Sequence, residues 1–275
     1  MKNEHFQRHY FTVIVFVFCC LIQSTQAVQS VAEETNIYFI GELFEWREFV
    51  HHDRLLKETG PRFGIGWNHD VQFYNDHLVF KPRIEIIGGR VDYEGSTQSH
   101  VPLESDTDYY DGKVEFDLGW RYASLKKYSI EPFVGAGLRG WYRKIHDAAA
   151  DDKITQAKGY PEEWRSAYFR VGLRGALALA EKTLLFAEVG SKFPVYNQNK
   201  ARFDESDLGP DVTFSPGNQP SWFAEAGVQY KPFRAGIYYD SLRFSKSDNE
   251  HSRGTIYYQP QTEADMYGIR VGIVF

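Results

Sequence analysis

The chain has 275 residues, carries 31 Lys and Arg against 37 Asp and Glu, and contains 21 Phe, 18 Tyr and 6 Trp beside only two Met and two Cys. The net charge of −6 is spread along the whole length, which excludes a nucleic-acid binder, since that needs a concentrated basic footprint. The aromatic-rich composition is that of a protein built from strands.

The N-terminus reads in three zones. Lys2 and Arg8 give a basic start, residues 11–22 ("FTVIVFVFCCLI") form an apolar core, and "STQA" ends in the small residues Thr25 and Ala27. This is the pattern of a secretory signal peptide cut after Ala27. An apolar run of twelve residues is short of the ~20 that a spanning helix needs. Phe18 precedes Cys19 and Cys20 follows it directly, so the small residue that a lipoprotein site needs before its cysteine is missing. With the signal go both cysteines and Lys2, Arg8 and Glu4, leaving 29 basic and 36 acidic side chains and no thiol for a disulfide or redox site. Residues 28–275 show no linker, charge block or 20–50-residue repeat, so one domain is expected.

From there the chain alternates apolar and polar residues at period two, the pattern of strands with two unlike faces. "GKVEFDLGWRY" sets Val114, Phe116, Leu118, Trp120 and Tyr122 against Lys113, Glu115, Asp117 and Arg121, and "AYFRVGLRGALAL" sets Phe169, Val171, Leu173 and Leu177 against Arg170, Gly172 and Arg174. Ten such segments are expected, at about 36–50, 62–74, 77–94, 108–123, 128–145, 162–180, 183–196, 220–231, 234–245 and 262–275. Connections after the even-numbered segments are tight ("NDH", "SLKK", "EK", "KP"), and those after the odd-numbered ones are long and polar. Plain turns at one end and loops at the other mark an all-β, closed antiparallel up-and-down transmembrane barrel of about ten strands, with eight or twelve as the alternatives. A soluble barrel would place its apolar face inside. Here the polar face carries many glycines, among them Gly64, Gly66, Gly135, Gly137, Gly172 and Gly268, which suits a crowded interior.

The final segment, "MYGIRVGIVF", presents Tyr267, Ile269, Val271, Ile273 and Phe275 on one face and Gly268, Arg270 and Gly272 on the other. An unpaired strand edge is costly in hydrocarbon, so this segment is expected to pair with the first and close the cylinder. It resembles the C-terminal signature of Gram-negative outer-membrane barrels, which serves as an assembly signal. "PFVGAGLRGWY" and "AGVQYKPF" look like strands of the small OmpA/opacity-type barrels. The resemblance implies location in the cell outer membrane, contact with outer-membrane lipid and lipopolysaccharide, recognition by the barrel-assembly machinery through the last strand, and a monomer. It implies no cofactor and no activity.

Parity assigns ten basic residues to the lumen: Lys81, Arg83, Lys113, Arg121, Arg139, Arg165, Arg170, Arg174, Arg234 and Arg270. Nine acids face them: Glu42, Asp70, Glu85, Glu115, Asp117, Glu131, Glu188, Glu225 and Asp240. A selective pore favours one sign, whereas near balance favours cross-strand pairing and a narrow or plugged interior. Five tryptophans, Trp46, Trp67, Trp141, Trp164 and Trp222, are expected in a belt at the outer interface. His51, His52 and Asp53, with His146 and Asp147, are expected on outer loops, and His69 and Asp70 within the second strand. Neither the Asp-x-His spacing of omptin proteases nor the His-x-Ser spacing of lipid A deacylases occurs. Asp204, Glu205, Asp207 and Asp211 crowd one loop without the EF-hand spacing. No catalytic, cofactor or metal residue is therefore assigned. The expected function is a structural or interaction protein displaying surface loops, with a narrow porin-like channel as the alternative and a rim hydrolase of omptin-like or lipid-modifying type as the second.

Overall fold

The structure, a computed structural model, describes residues 34–74, 77–96, 102–124, 127–149 and 156–275. The expected signal peptide lies outside them. Ten long strands follow in order: β1 (Glu34–Val50), β2 (Asp53–Phe73), β3 (Leu78–Ser96), β4 (Pro102–Trp120), β5 (Tyr128–Ile145), β6 (Pro161–Ala180), β7 (Thr183–Ala201), β8 (Ser221–Tyr230), β9 (Phe233–Ser245) and β10 (Gln261–Val274). Each pairs antiparallel with its chain neighbours, and β1 pairs with β10 from Asn36 opposite Val274 to Phe49 opposite Gln261. The result is a closed ten-stranded up-and-down barrel with no open edge among these strands.

The two faces of the wall are set by alternation. Outward on β1 stand Ile37, Phe39 and Leu43, on β2 Phe63 and Ile65, on β6 Phe169, Val171 and Leu173, and on β10 Tyr267, Ile269, Val271 and Ile273, all exposed. Inward, Arg62, Glu85, Glu115, Arg139 and Arg170 are almost fully buried. Apolar residues outside and charges inside invert the plan of a soluble barrel. Such an exposed apolar belt is stable only against hydrocarbon.

The strands outrun that belt. β2 has 21 residues and β6 has 20, whereas a tilted strand crosses a bilayer in about 9–11. The belt lies at the tight-turn end. Beyond it the outward positions become Glu45 and Arg47 on β1, Arg90 on β3 and Asp108 on β4, which form ion pairs among themselves. This explains two departures from expectation. β1 and β2 are joined not by a long loop but by the two residues His51 and His52, at φ 50° and 75°. That double positive φ is the geometry of a tight hairpin turn. Arg165 points outward rather than into the lumen, with its side chain 48 % exposed and paired to Glu163, because the outer wall of β6 meets water at this height.

The tryptophan belt is also corrected. Trp46, Trp141 and Trp164 face inward and are buried, while Trp67 sits outward near the tight turns. Only Trp222 is outward toward the loop end. Large inward aromatics are matched by glycine on the neighbouring strand. A Cβ on Gly137 would fall 2.5 Å from the Tyr168 ring, whose hydroxyl donates to Glu115 at 2.7 Å. Gly66 makes the same room for Tyr38.

Gly137→Ala is therefore expected to cost about 1–3 kcal/mol through overpacking, read as a lower urea midpoint of the refolded barrel. Gly112→Ala is the contrast. It points outward, its added Cβ meets nothing closer than 4.0 Å, and the midpoint should not move.

Candidate functional site

The lumen is where the chain concentrates its chemistry, and it is filled in layers. Nearest the tight turns is an open vestibule of about 260 Å³ lined by Asp70, Lys81, Arg83, Arg121, Glu131 and Arg234 among others. Lys81 pairs with Asp70 at 2.9 Å, and Arg121 donates to Glu131 at 2.9 Å. Arg121 reaches this site from the break between β4 and a short continuation, Tyr122–Ser124.

Above it Arg174, Arg170 and Arg270 tie seven strands together. Arg174 donates to Glu188 at 2.7 Å, to Glu131 at 2.9 Å and to Asp117. Arg170 donates to Glu188 at 2.7 Å and to Glu115. Arg270 donates to Glu225 at 2.7 Å and contacts Glu85 at 2.9 Å, where Lys113 arrives at 2.8 Å. The next layer holds Arg62 on Glu42 (2.5 Å) and Arg139 on Asp111 (2.5 Å) and on Asp240 (3.3 Å). Asp240 also accepts from Lys192. Charged pairs of this kind are favourable in a low-dielectric interior only when every lone pair finds a donor, and tyrosines supply the remainder: Tyr38 on Glu85 at 2.8 Å, Tyr168 on Glu115 and Tyr238 on Glu42.

The third layer is aromatic. Trp141 and Trp164 stack at 5.2 Å, and Trp46 meets Trp164 edge-on at 5.1 Å. Trp46 is on β1 and Trp164 on β6, five strands apart in a ring of ten, so the two touch across the full diameter. Phe44, Tyr109, Phe244 and Met266 complete the plug.

Over it lies Arg143, 2.7 Å from Glu58, 2.8 Å from Glu162 and 3.1 Å from Glu48. The indoles of Trp46 and Trp164 donate to Glu48 (3.0 Å) and Glu162 (2.8 Å), and Thr107 donates to Glu58 (2.9 Å). Three buried carboxylates thus share one guanidinium.

Of the nineteen charged residues assigned to the lumen by parity, eighteen are buried inside the wall or line the vestibule, and Arg165 points outward. Members that the parity reading did not name include Arg62, Asp111 and Lys192 in the middle, Tyr38, Tyr168 and Tyr238 beside them, and Glu48, Glu58, Arg143 and Glu162 at the mouth. Arg62, Asp111, Tyr168 and Lys192 already share the inward parity of their strands, and strand parity carried past the belt would have reached those at the mouth. The alternation fades there because both faces are polar.

Among the described residues the histidines do not gather into one site. His146 accepts or donates at 2.8 Å with Asp108, which also receives Arg90 at 2.7 Å, on the outer side of the wall. His69 meets Thr35 at 2.8 Å on the outward face of β2, whereas its neighbour Asp70 is in the vestibule. In the acidic loop Asp204–Ser206 form one 3₁₀ turn. Burial alone would raise Asp211, but hydrogen bonds from Asp204, Lys200 and Arg202 outweigh it and hold the carboxyl well below its usual range. Among the described residues no group of three His, Cys, Asp or Glu side chains is arranged to hold a metal.

No family model and no curated protein matches the chain. Among solved structures it is similar to the outer-membrane protease OmpT of Escherichia coli, at 12 % identity and a TM-score of 0.56 over 92 % of this chain and 99 % of that one. A major outer-membrane protein of Thermus thermophilus matches at 11 % identity and TM-score 0.42 (88 % and 99 % covered), and Ail of Yersinia pestis at 10 % and 0.33 (88 % and 99 %). The likeness to OmpT establishes the fold: this is a barrel of the Gram-negative outer-membrane type. The apolar belt around that fold is the surface of a barrel wall set in hydrocarbon.

Arg143→Met is expected to destabilise the barrel by about 3–5 kcal/mol, because it leaves buried carboxylates without their cation. Arg165→Gln, on the wetted wall, should leave the same unfolding curve unchanged.

Proposed function

We propose that the protein is an integral outer-membrane scaffold that displays surface loops for interaction, with a lumen closed by its own side chains and no enzymatic activity. The observation that carries this reading is the contact of Trp46 with Trp164 across the diameter, directly above a layer of paired charges. A solute of any size would have to displace both. That argues against the porin-like alternative. The rim-hydrolase alternative gains no support from the mouth of the barrel, where Arg143 and its three glutamates stand and where no histidine reaches among the described residues. OmpT is a protease, but a fold shared at 12 % identity carries no activity with it.

In the proposed orientation the tight turns, with the start of β1 and the end of β10, face the periplasm, and residues 146–149, 156–160, 202–220 and 246–260 face outward. The last strand, with Tyr267, Ile269, Val271, Ile273 and Phe275 toward lipid, is the segment offered to the assembly machinery. Lipid and lipopolysaccharide surround a monomer.

Two measurements test this. The refolded protein in a planar bilayer is expected to be silent, with folding shown by resistance to SDS before heating. A steady ohmic conductance would sink the closed-lumen reading. For orientation, the mature chain has no cysteine, so a single introduced thiol is a clean reporter. Arg253→Cys, at an exposed turn of the 246–260 connection, should react with a membrane-impermeant maleimide on intact cells, and Glu181→Cys, at the opposite end, should not. The reverse labelling would invert the orientation.

A further inference from the structure

The vestibule at the tight-turn end holds two arginines whose guanidinium groups make no hydrogen bond to a carboxylate among the described residues. Arg83 is buried, only 8 % exposed, and yet makes no hydrogen bond among the described residues. Its guanidinium stands 3.5 Å from Glu188 and 3.7 Å from Glu115. Both of those carboxylates are already engaged, Glu188 by Arg170 and Arg174, and Glu115 by Arg170 and Tyr168. Arg234 has no carboxylate within ion-pair distance among the described residues. It donates one N–H to the amide oxygen of Gln229 at 3.1 Å and lies 3.6 Å over the ring of Phe186. Both arginines line the same 260 Å³ cleft.

Geometry then decides what could enter. A guanidinium stacked face-on against an aromatic ring is fixed in plane and presents its remaining N–H groups edgewise, the arrangement that matches the two oxygens of a carboxylate or phosphoryl group. The acids of the vestibule are already occupied by donors, Asp70 by Lys81 and Glu131 by Arg121 and Arg174, so they offer little to a cation. Phe186, Leu184 and Ala176 add an apolar wall on one side. On its inner side the cleft meets a water-sized cavity of about 20 Å³ that shares Arg83, Glu188 and Glu225 as walls, and above that stand the paired charges and the tryptophan plug.

We propose that the tight-turn vestibule is a dead-end binding pocket for a small oxyanion, a carboxylate or phosphoryl group on a molecule of metabolite size, anchored by Arg83 and Arg234. Binding without passage is the consequence: a ligand enters and leaves by the same end. That this end opens to the periplasm rests on the orientation proposed above, whereas the binding itself does not.

The test is calorimetric titration of the refolded full-length mature barrel in a neutral, non-ionic detergent, with inorganic phosphate in one arm and succinate in the other. Saturable binding of either probe is expected, phosphate alone assigning a phosphoryl ligand and succinate a carboxylate. Arg234→Gln, at a half-buried position outside the paired layers, should weaken it about tenfold or more through loss of charge-assisted hydrogen bonds. Arg165→Gln, on the outer wall, should bind like the unaltered protein. Arg83→Gln is a second variant, read in the same way when it retains resistance to SDS. Absence of saturable heat with both probes overturns the proposal, and so does an affinity that Arg234→Gln leaves unchanged. The titration and the bilayer measurement fail separately. A conducting barrel would sink the closed lumen, and with it the dead end, but not the oxyanion binding at Arg83 and Arg234; a failed titration would remove the binding and leave the closed lumen standing.

Discussion

Ten strands closed edge to edge fix the width of this molecule, and nearly everything else follows from that width. A strand edge cannot be left open in hydrocarbon, so β1 must take β10 as its partner. Fourteen residue pairs hold them in register. Once the ring is shut at ten, the inward side chains of opposite walls are within reach of one another. Trp46 and Trp164 show it directly, meeting at 5.1 Å from strands five places apart. A wider ring would have left a water-filled channel; in this one, the same alternation that coats the outside with Ile, Val and Phe forces every second residue into a space that must be packed.

Packing such a space with charges is costly unless each is answered. The interior answers them by sharing. Glu188 takes Arg170 and Arg174, Asp117 takes the same two, and Glu131 takes Arg174 and Arg121. These contacts join strands distant in sequence, so the network works as a set of cross-braces that the backbone ladder alone does not supply. Glycines opposite the tyrosines are part of the same economy of space: Gly137 exists so that Tyr168 can reach Glu115.

The parts of this plan that were legible in sequence are those governed by lipid. Between Ile37 and Leu43, or Phe169 and Leu177, hydrocarbon on one side and crowded charge on the other imposes a clean period of two, and it revealed the strands, the closure and the inward set from Lys81 to Arg270. Above the belt that contrast disappears. Residues 53–61 read as a loop because water on the outer face allows Asp53, Lys57 and Thr59 where lipid would demand apolar side chains, yet they continue β2. The tryptophans misled for a related reason. Trp near a strand end is an interfacial anchor only if it points outward, and Trp46, Trp141 and Trp164 do not. In β7 the register shift between Pro194 and Tyr196 changes the inward parity, so that Lys192 below it and Asn197 above it both face the lumen. No period-two reading crosses such a bulge.

The charge balance that suggested a plugged interior also conceals a gradient. Summed over the whole lumen the signs nearly cancel, but they are not evenly placed. At the loop end three carboxylates, Glu48, Glu58 and Glu162, converge on Arg143 alone, and the deficit is met by neutral donors: the indoles of Trp46 and Trp164, and the hydroxyls of Thr107 and Tyr109. At the tight-turn end the surplus is of donors, on Arg83 and Arg234. Between the two ends lies the packed aromatic layer. A barrel needed only as a membrane-spanning wall would have no reason to sort its charges this way. The sorting makes the two mouths chemically different surfaces: one is sealed and acidic beneath the loops, the other is open and rich in guanidinium. It is at the open one that the fold leaves hydrogen-bonding capacity for something other than itself.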